Sequence, residues 1–345
     1  MTAHLRRLED ASLPETGTPL KPRTHRPPDP SIVRIDGSWR HRDVSANGIR
    51  LHVAEAFPDT LPAGTPPGEL PPLALLVHGL GGIWWTMRSP LVALAEAGFH
   101  AVAVDLRGHG DSDKPPRGYD AWTLSGDITN LVRALGHSSA VIVGQGEGGF
   151  VAWTAAYRRP RAVDGLVVVG SPHPLAMRRA AVRTGDQRRA LVPRLLSDQA
   201  PRLPERRLTR DGAAAVEEML RSHSGPTWPE TDDFRESADL LRRAMLIPKV
   251  AHLSLECRRW MVRSQFRPDG RDFRLTVSGV LDQPVLAISG AEDRFVLPAT
   301  VRESAPWARN FRSVEVPGAG HYPAMEAPAE TSRLIVNFAR AAISR

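Results

Sequence analysis

Residues 139–150 read Ser-Ala-Val-Ile-Val-Gly-Gln-Gly-Glu-Gly-Gly-Phe, an apolar run followed by four glycines within six positions. The pattern predicts a buried β-strand, a sharp turn and the start of a helix. In a Gly-x-Ser-x-Gly turn of this kind, strained backbone exposes the central side chain, which acts as a nucleophile. Here Gly144 and Gly148 hold the flanking positions and Gly146 stands at the centre. The sequence therefore predicts such a turn without its reactive side chain.

The same glycines also fit a second motif. Gly144-x-Gly146-x-x-Gly149, placed after a strand and before a helix, matches a dinucleotide-binding turn. That motif needs an acidic residue at the end of the next strand, roughly 20 residues on, to hold the ribose. The next predicted strand, Gly165–Val169, has Asp164 at its start instead. Nucleotide binding is therefore the weaker interpretation, and no cofactor is expected.

The composition is typical of a soluble globular protein, with 345 residues, 41% hydrophobic and 24% charged. No apolar run approaches the ~20 residues that cross a bilayer, so no membrane span is expected. Residues 1–20 lack the apolar segment of a signal peptide. Cys257 is the only cysteine, which excludes an internal disulfide and a cysteine metal cluster. We expect a cytoplasmic protein with no metal site.

The net charge of +7 is concentrated in one stretch of the chain. Three of the 45 basic residues are lysines, which leaves 42 arginines. Residues 175–275 contain 21 basic and 14 acidic residues, a balance of +7, so the rest of the chain is neutral overall. The two signs are interleaved and no nucleic-acid motif is present. We expect a salt-bridged helical surface and no nucleic-acid partner.

Strand and helix candidates alternate along most of the chain, which predicts a mostly parallel sheet flanked by helices. An Asn-Gly pair at 47–48 predicts a hairpin before this pattern. The predicted helices cover 87–97, 123–135, 149–158 and 331–343. The predicted strands cover 39–44, 49–56, 73–77, 101–104, 140–143, 165–169, 284–288 and 312–316.

The alternation stops at Pro172 and resumes near Pro284. We predict a helical cap at 172–280, inserted into an α/β core formed by 31–171 and 281–345. Ligands of open α/β sheets bind at the carboxyl ends of the strands, where such a cap would lie. Residues 1–30, rich in proline and charge, are expected to be a disordered arm.

Six short segments, each of which follows a predicted strand, occur in an order that is typical of one fold family. They are His78–Gly82, Asp105–Pro115, Gly144–Gly149, Gly170–Pro174, Gly290–Asp293 and Gly318–His321. Together they resemble the α/β-hydrolase superfamily over roughly residues 35–345, and most of all its epoxide-hydrolase-like branch. The resemblance implies an α/β-hydrolase fold.

The resemblance also implies roles for individual residues. The family order of nucleophile, acid and base falls on Gly146, Asp293 and His321. His321 would be the general base and Asp293 the carboxylate that orients it. The backbone N–H groups of Leu80 and Glu147 would form the oxyanion hole. The catalytic nucleophile itself would be missing.

Glu147 lies beside the vacant position. Epoxide hydrolases of this fold carry Asp at the central position, so a carboxylate can act as the nucleophile at such a turn. Glu147 is thus a candidate catalytic residue, as a displaced nucleophile or as a base acting on water. It stands one residue past the apex, however, and its side chain is expected to project away. Pairing with an arginine of the cap, or capping of its own helix, is the preferred interpretation.

The substrate pocket is expected to contain His78, Gly79, Trp84, Trp85 and Tyr322. Core packing explains the two tryptophans equally well. Epoxide hydrolases of this type use cap tyrosines to donate a hydrogen bond to the epoxide oxygen, and residues 172–280 contain no tyrosine.

These features predict a hydrolase that acts on a small, largely apolar ester or epoxide-like substrate. His321, oriented by Asp293, would activate water in the space left at Gly146. The alternative is a non-catalytic protein of the same fold that binds a small-molecule ligand.

Overall fold

The computed structural model describes residues 27–59 and 70–344. Eight strands form one sheet in the order β1-β2-β4-β3-β5-β6-β7-β8. The β1–β2 and β2–β4 pairs are antiparallel, and every later pair is parallel. The strands are β1 (Arg40–Ala46), β2 (Ile49–Ala56), β3 (Leu73–Val77), β4 (His100–Val104), β5 (Ala140–Gln145), β6 (Val163–Val169), β7 (Val285–Gly290) and β8 (Phe311–Val316).

Helices connect the parallel strands and fill the segment between β6 and β7. The connecting helices are α1 (Arg88–Glu96), α2 (Ala121–Ala134) and α3 (Glu147–Arg158). The helical insertion comprises α4 (Pro174–Arg183), α5 (Gly185–Ser197), α6 (Leu203–His223), α7 (Asp232–Met245), α8 (Val250–Arg263) and α9 (Pro268–Thr276). The chain ends with α10 (Pro298–Arg302), α11 (Pro323–Glu326) and α12 (Pro328–Ile343).

The central strands are buried on both faces, which is why they are continuous apolar runs. Leu76 and Val143 belong to a core shared with α1 and α12. Leu75 and Ile142 belong to a second core shared with α2 and α3. The result is a sheet between two helical layers, with apolar residues of α6 and α7 added to the first core.

The predicted α/β fold with a mostly parallel sheet is confirmed. Helix α3 begins at Glu147, two residues before the predicted start at residue 149. Glycine has a low helix propensity, so the glycines at this point weaken the helical signal in the sequence. Tertiary packing nevertheless holds them in the helix. The predicted arm at 1–30 lies mostly outside the described residues. The division into a core and a separate cap domain stays a prediction.

No helix in the described ranges is both long and apolar enough to cross a membrane.

Candidate active site

Four loops at the carboxyl edge of the sheet converge on one small region. They follow β3, β5, β7 and β8, and they carry Leu80, Gly146, Asp293 and His321 respectively. Neighbouring parallel strands end side by side, as the pairing of Val77 with Gly144 illustrates. The sheet topology therefore brings together residues that lie far apart in the sequence.

The turn at Gly146 has the strained backbone of a nucleophile-bearing turn. Its φ of 52° and ψ of −119° lie where L-residues are rarely found. A Cβ built on Gly146 would lie 3.8 Å from His321 Nε2, an ordinary van der Waals contact. At Gly148 a Cβ would lie 2.3 Å from the Val77 carbonyl oxygen, so α3 needs glycine to approach β3. The turn has room for a side chain at its apex, and the sequence provides none.

His321 and Asp293 form the predicted pair. The two residues are joined by a hydrogen bond of 2.7 Å between His321 Nδ1 and Asp293 Oδ2. The other carboxylate oxygen of Asp293 accepts hydrogen bonds from the backbone N–H groups of Phe295 and Val296, each at 2.8 Å. Both side chains are buried. Since Asp293 holds Nδ1–H, Nε2 of neutral His321 is free to accept a proton on the side of Gly146.

Two opposing effects act on His321. Burial lowers the pKa of this imidazole, but the negative charge and hydrogen bond of Asp293 outweigh burial. The net pKa of His321 is raised above its ordinary value of 6.5. The residue is therefore a stronger base than a free histidine.

The Glu147 carboxylate lies in the cavity, contrary to the expectation that it projects away from the apex. Its Oε2 accepts a hydrogen bond of 2.8 Å from the backbone N–H of Leu80. Glutamate reaches this position because its side chain is long and α3 begins at Glu147 itself. One of the two predicted oxyanion-hole donors is thus already bonded to the protein's own carboxylate.

The expected partner from the arginine-rich insertion is present. Arg258 Nε of α8 donates to Glu147 Oε1 at 2.5 Å, and its Nη1 donates to Asp198 Oδ2 at 3.2 Å. Burial raises the pKa of Glu147, but Arg258 and the Leu80 N–H outweigh it and lower the pKa to about 2. The side chains of Arg258 and Glu147 are only 6% and 17% exposed. The predicted pairing with a cap arginine is therefore present as a buried ion pair.

The cavity between these groups has a volume of about 30 Å³. That volume holds one or two water molecules. Gly79, Leu80, Gly146, Glu147, His321 and Tyr322 line it on the side of the sheet loops. Side chains of α6 and α8, among them Met219, His223 and Arg258, line it on the side of the insertion.

Three residues predicted for the pocket lie elsewhere. Trp84 and Trp85 are buried in the core with Trp39, at ring-centroid distances of 5.1 and 6.1 Å. Neither tryptophan lines the cavity, so the core-packing alternative describes them correctly. His78 is also buried; it donates to the Gly79 carbonyl and accepts from the Leu106 N–H. Burial lowers the pKa of His78, which fits this structural role.

Two residues at or beside the site, His223 and Arg194, gave no sequence signal. His223 stacks on Phe295, with ring centroids 4.6 Å apart, and its Nε2 accepts a hydrogen bond of 3.0 Å from Arg194. Burial and the nearby positive charges lower the pKa of His223 to about 2. His223 is therefore neutral. Both residues lie in the insertion, where no motif marks individual positions.

Groups of three or more His, Cys, Asp or Glu side chains placed to hold a metal ion are absent from residues 27–59 and 70–344.

Comparison with known proteins places this geometry in a family. An epoxide hydrolase of Caballeronia sordidicola is 29% identical over 341 residues, covering 89% of this chain and 95% of that protein. The AB hydrolase superfamily protein YfhM of Bacillus subtilis (strain 168) is 25% identical over 304 residues, covering 86% of this chain and 96% of that protein.

Solved structures agree on the fold. Cfl2 from Burkholderia cenocepacia superimposes with a TM-score of 0.72 at 23% identity, covering 91% of this chain and 98% of that one. A Bacillus megaterium epoxide hydrolase gives a TM-score of 0.70 at 23% identity, covering 86% and 99%. The family model for the alpha/beta hydrolase fold matches residues 72–328. The chain belongs to the α/β-hydrolase family and is similar to its epoxide hydrolases.

Proposed function

We propose that the protein hydrolyses small epoxides, with Glu147 as a carboxylate nucleophile displaced by one residue and His321 as the base. The observation that carries the proposal is the hydrogen bond from the Leu80 N–H to Glu147 Oε2, in the same cavity as His321. It puts a carboxylate beside the apex of the turn although the apex is glycine. The similarity to epoxide hydrolases over nearly the whole chain supports this choice of substrate.

The first step forms an ester. Glu147 is ionised at neutral pH because its pKa is about 2. Oε1 attacks an epoxide carbon, the C–O bond of the ring breaks, and its electron pair stays on the epoxide oxygen as an alkoxide. Arg258 donates to Oε1 before the attack, so its N–H becomes available to stabilise the alkoxide until water protonates it.

The second step hydrolyses the ester. His321 Nε2 takes a proton from water, and the hydroxide attacks the ester carbonyl carbon. Oε2 carries the negative charge of the tetrahedral intermediate and already accepts the Leu80 N–H at 2.8 Å. Collapse of the intermediate expels the diol alkoxide, which takes the proton back from His321, and leaves Glu147 as a carboxylic acid. Glu147 gives its proton to the hydroxide that remained when water protonated the alkoxide of the first step, so the carboxylate is restored and atoms and charges balance.

Substrate entry needs movement of the insertion. The cavity of about 30 Å³ accommodates the hydrolytic water but no epoxide. Met219 and Arg258 close it from α6 and α8. In this proposal the insertion acts as a cap that opens for substrate, and part of the Glu147–Arg258 attraction is exchanged for contacts with substrate.

A non-catalytic binding protein is the second candidate. The buried ion pair between Glu147 and Arg258, together with the small cavity, favours it. A carboxylate held this firmly is a weak nucleophile, and both N–H and guanidinium donors are already satisfied. The same residues would then serve to hold the site closed until a ligand binds.

Turnover of styrene oxide and cyclohexene oxide by wild type and Glu147→Gln tests the proposal. We expect Glu147→Gln to lose at least about 10³-fold in kcat, since a nucleophile is removed. Glu330→Gln, which removes a carboxylate from an exposed ion pair with Arg333, is the matched control and should keep full activity. Equal turnover in wild type and Glu147→Gln would exclude the nucleophile. A folded wild type without turnover of either epoxide would favour the binding protein.

A further inference from the structure

A second, larger cavity lies next to the closed site. This vestibule has a volume of about 180 Å³ and is enclosed by α5, α6 and α8 together with the loop after β3. It shares Leu80, Gly81, Met219 and Arg258 with the smaller cavity. These four residues form the partition between the two spaces. A ligand in the vestibule is therefore one side-chain layer away from Glu147.

Arg194 lines the vestibule and has no carboxylate partner. Its guanidinium donates a hydrogen bond of 3.0 Å to neutral His223. Among the described residues, no carboxylate oxygen lies within 4.0 Å of its guanidinium. Burial lowers the pKa of Arg194, and the positive charge of Arg258 lowers it further. Asp198 and Glu147 raise this pKa from a distance without contacting the guanidinium, so the electrostatic cost of its location is only partly compensated.

Arg258, which lies near the same Phe295 ring, provides the contrast. The two guanidinium groups lie 5.5 and 5.6 Å from the centre of this ring. Arg258 is bonded to both Glu147 and Asp198, the two carboxylates in its surroundings. Arg194, in contrast, bonds to the neutral imidazole of His223 and lines the vestibule. An anion in the vestibule would supply the missing partner.

Much of the remaining vestibule wall is apolar and includes Leu203, Pro204, Leu208, Met219, Met245 and Leu255. Two carboxylates, Asp198 and Glu218, also line it, but they pair with Arg258 and Arg207 respectively, which leaves Arg194 as the cation without a carboxylate. Leu203 is 66% exposed, which leaves an apolar side chain at the surface end of this space. A cation surrounded by apolar walls matches a molecule with one anionic head and a hydrocarbon tail.

We propose that the vestibule binds an amphipathic monocarboxylate, with its carboxylate on Arg194 and its hydrocarbon chain along the apolar walls. Guanidinium and carboxylate form two parallel charge-assisted hydrogen bonds, which gives the site both affinity and orientation. The assignment of this carboxylate to the substrate rests on the proposed hydrolase function. Binding of the carboxylate does not depend on it.

Calorimetric titration with octanoate, octanol and acetate tests the site without any need for turnover. We expect octanoate to bind roughly tenfold or more tightly than octanol, which lacks the charge, and than acetate, which lacks the chain. Arg194→Gln should weaken octanoate binding by a similar factor, and Arg194→Lys should weaken it less. Arg189→Gln, on the same helix and exposed, is the matched control and should bind like wild type.

Each result decides the proposal. Equal affinity for octanoate and octanol would overturn it, as would undiminished octanoate binding by folded Arg194→Gln or no octanoate binding by wild type. Leu208→Trp narrows the vestibule without removing a charge, and it should also abolish binding even where Arg194→Gln fails to fold. Octanoate binding by a protein that turns over no epoxide would support the vestibule while excluding the hydrolase.

Discussion

The two halves of the candidate site differ in whether side chains or backbone groups form them. The base half, His321 and Asp293, has the side chains, the 2.7 Å hydrogen bond and the backbone support that base catalysis needs. The other half consists of backbone groups: it comprises the strained turn at Gly146 and the N–H of Leu80, and the apex has no side chain. A carboxylate from the next residue occupies the oxyanion position instead.

The difference separates features made by the main chain from features made by side chains. A turn that holds Gly146 at a φ of 52° is fixed by close packing of glycines against neighbouring strands. Its geometry does not depend on a reactive side chain at the apex, because the packing does not involve one. The Glu147 carboxylate can therefore accept the Leu80 N–H although Glu147 is not the apex residue. Arg258 compensates the buried negative charge of this carboxylate.

Removal of the base should have the largest effect. We expect His321→Ala to reduce steady-state epoxide turnover on the order of 10²–10⁴-fold, because His223, the other imidazole that lines the cavity, has a pKa of about 2 and already accepts a hydrogen bond from Arg194. Ester formation precedes the base step, so the variant should accumulate an adduct on Glu147. Intact-protein mass spectrometry after mixing with styrene oxide measures both outcomes against wild type. Unchanged turnover would show that the base half is not used.

Introducing a side chain at Gly146 tests the half of the site that is formed by backbone groups. A serine at 146 would lie close to His321, but the Leu80 N–H is occupied by Glu147. We expect Gly146→Ser alone to be a weak esterase and Gly146→Ser/Glu147→Ala to be about 10²-fold faster, because the oxyanion donor is released. Release of p-nitrophenol from p-nitrophenyl acetate measures this, with Glu147→Ala as the control. A double variant no faster than the single one would contradict the assigned oxyanion position.

The ion pair should also contribute to stability. Glu147→Gln leaves Arg258 with Asp198 alone, and we expect a loss of about 1–3 kcal/mol in the free energy of unfolding at pH 7. Glu218→Gln, in an exposed pair with Arg207, should change it by about 0–1 kcal/mol. Since the pKa of Glu147 is depressed to about 2, its stabilisation is present at neutral pH and declines as pH falls from about 5 towards 2. Urea denaturation across this range checks both variants.

The pH profile gives the smallest and most specific effect. His321 must be neutral to act as a base, so turnover should rise with pH and level off above its folded pKa. That pKa is raised, which places the inflection above 6.5. In Asp293→Asn the carboxylate charge is gone and burial lowers the pKa, so the inflection should move to lower pH in whatever activity remains. An unchanged inflection would show that Asp293 does not raise the pKa of His321.

Much of this arrangement was predictable from sequence because strands and their ends carry strong patterns. Buried apolar runs located the strands, and family order located His321 and Asp293. The direction of Glu147 was mispredicted because one-residue spacing was taken to fix orientation, whereas a long side chain at the first helical position reaches the cavity. Trp84 and Trp85 were ambiguous because a pocket wall and a core have the same composition. Arg194 gave no signal, since its place depends on packing within the insertion.

The fate of water oxygen tests the central claim, that Glu147 is the nucleophile. A single turnover of styrene oxide by excess enzyme in ¹⁸O-labelled water is followed by mass spectrometry of the diol and of the peptide that contains Glu147. If Glu147 forms the ester, the label enters its carboxylate and the first diol is unlabelled, because water attacks the ester carbonyl. Label in the diol and none in Glu147 would mean that water attacks the epoxide directly, and would contradict the account.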